Sequence, residues 1–408
     1  MSSTAPVAPS PTALLAEARS VLPELLLVRR ALHEQPEIGL RLPNTQAIVL
    51  EELGRLGLGA RMGAEVSSAV AVIDGTQPGP TILLRADMDA LPLQEDTALP
   101  FASKVAGTMH ACGHDTHVTM LLAATRLLLS HRDALAGKVL LMFQPGEEGF
   151  HGARYMIDEG LLEATGSLPI EALAIHISTR YATGTINLRP GPLMASSDTL
   201  RITIRGRGGH ASTPHLALDP ITVAAEIVLG LQTMVGRQVD VFDPAVVTIA
   251  RMAAGTTTNI IPESALLEGT IRTVSNATRD EVIARVVQVA NGIGAAYGAE
   301  VDATVEGGYP VTVNDPDAAE RTLALAERLI GASSVERLAA PLMGAEDFSY
   351  VLQRVRGCMA FLGARPAGED PATAPQNHSN RVVFDEDAMA VGIALYAAKA
   401  LEALAPGS

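Results

Sequence analysis

The chain has 408 residues, which is enough for two domains that each bury a sizeable core. Its 45 acidic and 30 basic residues give a formal net charge of -15. No stretch rich in lysine or arginine offsets that charge, so nucleic acid and anionic membrane surfaces are excluded as expected partners.

The cysteine content and the apolar pattern indicate where the protein works. Cys112 and Cys358 are the two cysteines, too few for a disulfide framework. The Cys112 thiol favours a reducing compartment or a site where a metal protects it. The N-terminal residues lack the basic and apolar segments of a signal peptide. No apolar run approaches the ~20 residues that a membrane span needs. We therefore expect a soluble, cytoplasmic protein that does not bind membranes.

Strand-like runs and helical patterns alternate through the first part of the chain. Apolar residues at helical spacing predict helices, and short β-rich runs between turn residues predict strands. The predicted elements are helices at 11–35, 44–57 and 115–132 and strands at Ala69–Ile73, Thr81–Arg85, Lys138–Phe143 and Leu173–Ile177. This alternation predicts a mostly parallel α/β domain.

The pattern changes at Leu188–Pro192, and Leu200–Ile204 then alternates between apolar and polar residues. The elements that follow are a helix near 217–236, strands near 245–252 and 265–274, a helix near 278–296 and a strand near 299–305. The order β-α-β-β-α-β predicts a ferredoxin-like sheet with helices on one face. We therefore expect an inserted domain at 189–308 and a discontinuous first domain formed by 1–188 and 309–408.

The last part of the chain returns to the first domain. A helix is predicted to begin at Gly344–Phe348, with its carboxylates at the N-terminal end, where the helix dipole favours them. Met359–Leu362 is a predicted apolar strand, and residues 384–403 form a predicted closing helix.

The segment Met109–His117, MHACGHDTH, holds one thiol, three imidazoles and one carboxylate. Gly113 lies between Cys112 and His114 and allows a tight turn that aims both side chains at one point. Thiolate, imidazole and carboxylate ligands suit zinc, manganese, cobalt or nickel. The alternative interpretation is a helix start, capped by its own polar residues, with histidines on the surface.

Carboxylates follow two of the predicted strands. Asp87 and Asp89 come directly after one strand, at the strand end where α/β sheets present functional groups, although they could simply close a loop. Glu147 and Glu148 follow the strand Lys138–Phe143. Adjacent carboxylates are costly unless a cation lies between them or one is protonated, so one could bind a metal while the other handles a proton. A solvated loop is the alternative.

Histidines add candidate ligands elsewhere in the chain. His176 interrupts an apolar strand, and His378 ends a long loop. His210 lies in the glycine-rich segment GRGGHASTPH of the predicted insertion. The alternatives are a hydrogen-bonded core histidine at 176 and an incidental hairpin histidine at 210.

Two further polar residues of the insertion are candidates for ligand binding. Asn259 belongs to the segment TNIIP, and Arg272 follows a predicted strand. Arg272 could hold a carboxylate bidentately, although an arginine at a strand end is more often a surface charge.

The motifs RADMDALP, MHACGHDTH, QPGEEG, GGHASTPH, NIIP and NHS occur in this order along the chain. With them, the chain resembles the amidohydrolase branch of the dinuclear-metal aminoacylase and carboxypeptidase family from about His33 to the C-terminus. That branch includes hippurate hydrolases, N-acyl-amino-acid amidohydrolases and indole-acetyl-amino-acid hydrolases. The resemblance implies a mixed-sheet metallohydrolase catalytic domain with an inserted lid, which often forms a homodimer or a higher oligomer through the lid sheet.

The resemblance also implies a role for each motif residue. The implied ligands of two divalent metal ions per subunit are Cys112, His114, Glu148, His176 and His378. Glu147 would be the general base, and His210 would steady the oxyanion. Asp89 would not bind metal itself but would support the residues that do. Asn259 and Arg272 would be candidates for the substrate carboxylate. Asp87 takes the place of a ligand histidine of other branches and is not an expected ligand.

The implied activity is metal-dependent hydrolysis of the amide bond of N-acyl amino acids, which releases a carboxylic acid and a free amino acid. A divalent metal lowers the pKa of water, and Glu147 could pass the proton to the leaving amine. The alternative activity is a dipeptidase or carboxypeptidase that uses the same metal site. A third possibility is a binding protein without catalysis, against which an intact Glu147 beside a full ligand set counts.

Overall fold

The structure is a computed structural model and describes residues 8–405. The chain forms two compact units. The first unit runs up to Leu193 and also contains Val313–Ala340 and the chain from Tyr350 onward. The second unit contains Met194–Thr312 and Pro341–Ser349.

The helices of the described residues are named in chain order. They are α1 Pro11–Glu34, α2 Pro43–Arg55, α3 His114–Ser130, α4 Gly152–Asp158, α5 Pro220–Gln238, α6 Asn276–Tyr297, α7 Pro316–Ile330, α8 Ser349–Leu352 and α9 Met389–Ala403. Between residues 8 and 405, no helix is both long enough and apolar enough to cross a lipid bilayer.

The strands are named in the same way. They are β1 Ala60–Met62, β2 Ala69–Asp74, β3 Gln77–Asp87, β4 Ala136–Gln144, β5 Glu171–Ala182, β6 Ile186–Leu188, β7 Gly191–Met194, β8 Asp198–Arg205, β9 Gly209–His210, β10 Ala245–Ala254, β11 Ile260–Ile261, β12 Ser264–Thr273, β13 Glu300–Gly307, β14 Thr312–Asn314, β15 Val335–Arg337 and β16 Gly357–Arg365.

The first unit is built on a mixed eight-stranded sheet with the order β1-β2-β4-β3-β5-β16-β6-β15. Its central strands β4, β3, β5 and β16 are parallel to one another, while β2 pairs antiparallel with β4 and β6 pairs antiparallel with β16. The mixed α/β class expected for this part of the chain is confirmed. In the parallel centre, Asp87 is the register partner of Gln144. The carboxyl ends of β3 and β4 therefore lie side by side, which brings the two carboxylate-bearing loops together.

Tyr396 of α9 fastens this helix to the sheet. Its hydroxyl donates to the Arg85 carbonyl at 2.6 Å and accepts from the Ile175 N–H at 2.9 Å. The described pairing between β3 and β5 runs from Ile82–Glu171 to Arg85–Ala174, directly before this contact. The tyrosine thus satisfies backbone groups between the two strands at the edge where the functional residues begin.

The second unit is a four-stranded antiparallel sheet with the order β10-β12-β8-β13. Helices α5 and α6 bury their apolar faces against it in a separate core that includes Leu200, Ile227, Leu267 and Val286. Side-chain caps start both helices, since Asp219 accepts from Ile221 N–H and Ser275 accepts from Thr278 N–H. The β-α-β-β-α-β order is the one that the sequence predicts.

The prediction that a helix begins at Gly344–Phe348 is wrong. The helix of this region is α8, which has four residues and begins at Ser349. Glu346 Oε1 instead accepts locally from the Phe348 N–H at 2.9 Å, and the Glu346 carbonyl accepts from the hydroxyl of the distant Thr312 at 3.3 Å. Side-chain bonds of this kind offer the backbone an alternative to a helix. The Ala195 N–H also donates to the Leu342 carbonyl, so residues 341–349 pack with the second unit although they lie outside 189–308.

Candidate active site

The predicted cysteine and histidine cluster lies at the start of α3. Gly113 has a left-handed φ of 88°, and a Cβ there would lie 2.4 Å from Ile177 Cγ2. A side chain at this position would therefore be both strained and crowded. The turn places Cys112 just before the helix and His114 at its first residue.

Five ligand-type residues meet in two groups that share one thiol. Cys112 belongs to a group with His114 and His176 and to a second group with Glu148 and His378. In each group the ligand atoms lie within 4.8 Å of one another. Cys112 Sγ is 3.3 Å from His176 Nε2 and 3.3 Å from His378 Nε2. The structure thus brings together the residues that the sequence names as metal ligands.

Two of the imidazoles are oriented by backbone carbonyls. His114 Nδ1 donates to the Asp89 carbonyl at 2.8 Å, and His176 Nδ1 donates to the Ile177 carbonyl at 2.7 Å. In the neutral form of each ring, this contact leaves Nε2 as the nitrogen with a free lone pair. Within residues 8–405, the buried His114 Nε2 has no hydrogen-bond partner, although Asp87 Oδ2 lies 3.4 Å away. A metal would supply the missing partner.

The electrostatics of the cluster favour a cation. Burial by itself lowers the pKa of His114, but the charges of Asp87, Asp89 and Glu148 outweigh burial and raise it to about 10. Burial raises the pKa of Cys112 well above its usual range, and the nearby Glu148 and Glu147 raise it further. A buried site that so strongly retains protons is one where a divalent metal can replace them. The donor set of thiol, imidazole and carboxylate fits such a metal.

Asp87 and His117 are occupied by other contacts. Asp87 Oδ2 accepts from Arg85 at 2.6 Å, and Asp87 Oδ1 accepts from His117 Nδ1 at 2.5 Å. His117 Nε2 accepts from the Ile177 N–H at 2.8 Å. Burial lowers the pKa of His117, so the ring is a neutral link between Asp87 and β5. Asp87 also forms a candidate metal group with His114 and His117, although the family resemblance does not name it as a ligand.

Asp89 supports the loop after β4. Its two carboxylate oxygens accept from the backbone N–H groups of Glu147 at 2.9 Å and Glu148 at 3.0 Å. The buried Glu147 forms a further group with His114 and Glu148, and its Oε2 lies 4.0 Å from His114 Nε2. Glu147 does not belong to either group that contains Cys112.

His378 has a left-handed backbone conformation, with a φ of 70°. This conformation is uncommon for a residue other than glycine and costs of order 1–3 kcal/mol. The side chain is half exposed, and its Nε2 lies 3.1 Å from Glu148 Oε1.

The remaining predicted residues lie in the second unit. His210 pairs with Ile260 across the short β9–β11 ladder, and the Ala211 N–H donates to the Asn259 carbonyl at 3.1 Å. His210 and Asn259 are therefore neighbours. His210 Nδ1 accepts from the Ser212 N–H at 3.1 Å and faces the Ser212 hydroxyl at 2.7 Å. With Nδ1 as acceptor, Nε2 carries the proton and is available as a donor.

Arg272 lies on β12, opposite Val246 of β10. Its side chain is partly buried, and burial lowers the pKa of its guanidinium, while Asp198 has the opposite, smaller effect. A partly desolvated guanidinium gains from an added carboxylate.

Sequence reasoning missed the role of Arg85. It is almost fully buried on β3, donates to Gln144 at 2.9 Å as well as to Asp87, and neutralises that carboxylate. The signal that could have revealed it is an arginine at the end of an apolar strand, two residues before an aspartate.

This mixed α/β fold and its candidate ligand groups define a metal-binding hydrolase. Residues 83–402 match Peptidase family M20/M25/M40, and the chain belongs to that family, whose members hydrolyse amide bonds. The family resemblance of the sequence motifs is thereby confirmed.

Individual relatives cover nearly the whole chain. It is 37% identical over 390 residues to thermostable carboxypeptidase 1 of Saccharolobus solfataricus, covering 95% of this chain and 97% of the relative. It is 37% identical over 341 residues to N-acetyl-L-cysteine deacetylase of Bacillus subtilis, covering 83% and 80%. The structure resembles that of the Bacillus subtilis YXEP protein, a dinuclear metal binding peptidase from the M20 family. That comparison has a TM-score of 0.81 at 34% identity and covers 95% and 99% of the two chains.

Proposed function

We propose that this protein hydrolyses the amide bond of N-acyl amino acids with two divalent metal ions per subunit. The observation that carries the proposal is the pair of ligand groups that share Cys112, with Glu147 beside them and outside both. Each group supplies three ligand-type residues, which would leave a coordination position for substrate on a bound metal. Zinc, manganese, cobalt and nickel fit this donor set.

In this proposal, Cys112, His114 and His176 would hold one metal, and Cys112, Glu148 and His378 would hold the other. Bound divalent metals lower the pKa of water and polarise a carbonyl group. Glu147 takes a proton from the attacking water and delivers it to the leaving nitrogen. The amide C–N bond breaks as the new C–O bond is completed, so a carboxylic acid and a free amino acid leave.

The second unit supplies the remaining roles in the proposal. His210 Nε2 donates to the carbonyl oxygen as negative charge develops there. Arg272 and Asn259 bind the carboxylate of the amino acid part. The second unit acts as a lid, so that these groups join the reaction only when substrate is bound.

The substrate test is a panel of amides with purified protein and added zinc, manganese, cobalt or nickel. We expect turnover of N-acetyl, N-benzoyl or long-chain N-acyl amino acids. A carboxypeptidase or dipeptidase is the second candidate, because a relative that is 37% identical is named a carboxypeptidase. Turnover of dipeptides or blocked peptides, with none of simple N-acyl amino acids, would replace our proposal by this second one.

We also propose that the protein is a cytoplasmic homodimer or higher oligomer that assembles through the second unit. Both cysteines are free and buried, as suits a reducing compartment. Strand β10 is an edge of its sheet, and Val246 and Met252 on it are exposed. Exposed apolar residues on an edge strand favour pairing with a second copy. Light scattering during size-exclusion chromatography tests the assembly, and a monomeric mass contradicts it.

A further inference from the structure

Asn377 precedes the candidate ligand His378, and its side chain reaches two other ligand-bearing segments. Its Nδ2 donates to the Cys112 carbonyl at 3.1 Å and to the Ile177 carbonyl at 2.9 Å. Its Oδ1 accepts from the Thr179 N–H at 3.3 Å. We propose that Asn377 is a positioning residue that holds the segments of Cys112, His176 and His378 at one fixed spacing. This inference rests on the proposed dinuclear metal site.

The orientation of the Asn377 amide is fixed by its partners. Two of them are carbonyl oxygens, which can only accept, and the third is a backbone N–H, which can only donate. The NH₂ group must therefore face the carbonyls of Cys112 and Ile177. Each of the three contacts uses a different part of the amide, and no residue with only a donor or only an acceptor can replace all of them.

The contact with the Ile177 carbonyl bears directly on a ligand. The same carbonyl accepts from His176 Nδ1 at 2.7 Å, which leaves His176 Nε2 facing Cys112 Sγ at 3.3 Å. Asn377 thus fixes the acceptor that selects the tautomer and the ring direction of His176. Removing a group that hydrogen-bonds to a ligand histidine, or fixes its hydrogen-bond partner, typically lowers metal affinity by about 10- to 100-fold.

The contact with Cys112 is one of a pair that joins the two loops. Beside it, the His378 N–H donates to the Ala111 carbonyl at 2.9 Å. His378 keeps its left-handed φ of 70° between these contacts. An uncommon backbone conformation persists only where the surrounding contacts determine it, and Asn377 provides one of them. The Thr179 hydroxyl adds a contact to the Pro375 carbonyl at 2.8 Å and holds the same loop from its other end.

The test compares Asn377→Ala and Asn377→Asp with the wild type and with Gln376→Ala, a change at the exposed neighbouring side chain. Asn377→Asp keeps an acceptor for Thr179 and removes both donors. Its added negative charge would by itself attract metal, so a loss of affinity in this variant isolates the missing donors. Full-length protein is stripped of metal, and the dissociation constants of zinc and cobalt are measured by chelator competition. The absorption spectrum of the cobalt form reports the ligand geometry, and circular dichroism reports the fold.

We expect both Asn377 variants to bind metal about 10- to 100-fold more weakly and to show an altered cobalt spectrum, while Gln376→Ala matches the wild type. The circular dichroism of the metal-free variants should match that of the metal-free wild type. Wild-type affinity and spectrum in Asn377→Asp would overturn this inference and leave the metal site intact. A wild-type protein that binds no metal would overturn the proposed function as well. Loss of the folded state in both variants would make Asn377 a determinant of the fold and would contradict a positioning role.

Discussion

Asp89 Oδ1 accepts a hydrogen bond from the backbone N–H of Glu147 at 2.9 Å, across 58 positions of the chain. Its other oxygen does the same for Glu148 at 3.0 Å. A single buried carboxylate therefore sets the backbone direction of both glutamates after β4. Because adjacent side chains point in different directions, this control of the backbone decides which glutamate faces which part of the site.

Replacing Asp89 with asparagine should disturb both glutamates. The new NH₂ group faces a backbone N–H, so one acceptor is lost and two donors oppose each other. We expect a loss of about 10- to 100-fold in metal affinity or in kcat/KM. Titration with zinc measures the metal affinity, and steady-state kinetics measures kcat/KM. The surface change Asp133→Asn is the control. Unchanged values for both would show that the two hydrogen bonds do not matter.

Glu147 and Glu148 should fail in different ways. Glu147→Gln should keep both metals and lose about 100- to 10,000-fold in rate, because an amide cannot accept the proton of water. Glu148→Gln should lose metal and activity together, since Glu148 belongs to the group with Cys112 and His378. Elemental analysis and kcat on both variants decide the assignment. A metal-depleted Glu147→Gln beside a metal-replete Glu148→Gln would reverse the roles.

Removal of metal should lower both activity and stability. Without a cation, the buried thiol, imidazoles and carboxylates must retain protons or repel one another. A ligand at 100 times its dissociation constant adds about 2.7 kcal/mol to stability. We therefore expect a chelator to abolish hydrolysis and lower Tm, and zinc, manganese or cobalt to restore both. Full activity in protein that elemental analysis finds free of metal would refute the metal requirement.

His33 should make stability depend on pH in the alkaline range. Burial lowers the pKa of His33, but the charge of Asp115 and hydrogen bonds to Asp115 and Glu95 outweigh burial and raise it to about 9. His33 Nδ1 lies 2.9 Å from Asp115 Oδ2, which also accepts from the buried Arg29 at 3.0 Å. Because the pKa of His33 is higher in the folded state than in the unfolded state, protonated His33 stabilises the fold. This stabilisation is complete below the unfolded-state pKa of about 6.5 and is lost as the pH rises through the folded-state pKa of about 9.

The size of the His33 effect is about 3 kcal/mol, since each pKa unit corresponds to 1.36 kcal/mol. Urea unfolding between pH 6 and pH 10 should show this loss in the wild type. In His33→Gln the loss should be smaller by this amount, because His114, whose pKa is also raised, still contributes to it. The variant should be less stable than the wild type at pH 6. Parallel pH profiles for the two proteins would contradict a charged His33.

Arg272→Ala should weaken the binding of substrates that carry a free carboxylate. Arg272 is partly desolvated, and a charge-assisted contact of this kind is worth about 1.5–3 kcal/mol. We expect kcat/KM for an N-acyl amino acid to fall about 10- to 100-fold, at 1.4 kcal/mol for each factor of ten. The matched N-acyl amino acid amide provides the control. Equal losses for the acid and the amide would rule out a carboxylate contact.

The second unit was predictable because its pattern is local. Alternating strands and capped amphipathic helices such as α6 leave clear signals, and their order is enough for a ferredoxin-like sheet. The strands β1, β6 and β15 have three residues each, which is too short for a period to show. Helix α7 was overlooked although Asp315 caps it and Pro316 begins it.

Some features of the candidate site could be predicted from the sequence, and others depend on contacts between distant segments. The motifs concentrate residue types that a core rarely needs, but the set of residues expected to bind metal came from the family resemblance of those motifs. The shared position of Cys112 could not be read from the sequence, since it depends on β3, β4 and β5 lying side by side. The contacts of Arg85 and Asn377 likewise join segments that are far apart in the chain.

The Arg85–Asp87 pair limits how this site can change during evolution. The family resemblance implies that Asp87 takes the place of a ligand histidine of other branches, and both side chains of the pair are buried. Exchanging Asp87 alone for histidine would take the carboxylate from a buried guanidinium, at a cost of about 3–5 kcal/mol. That is a large part of the 5–15 kcal/mol by which a typical domain is stable. Replacing Arg85 alone would in turn leave the buried Asp87 carboxylate without its guanidinium, at a similar cost. A change from one ligand set to the other is therefore least costly when both residues are replaced together.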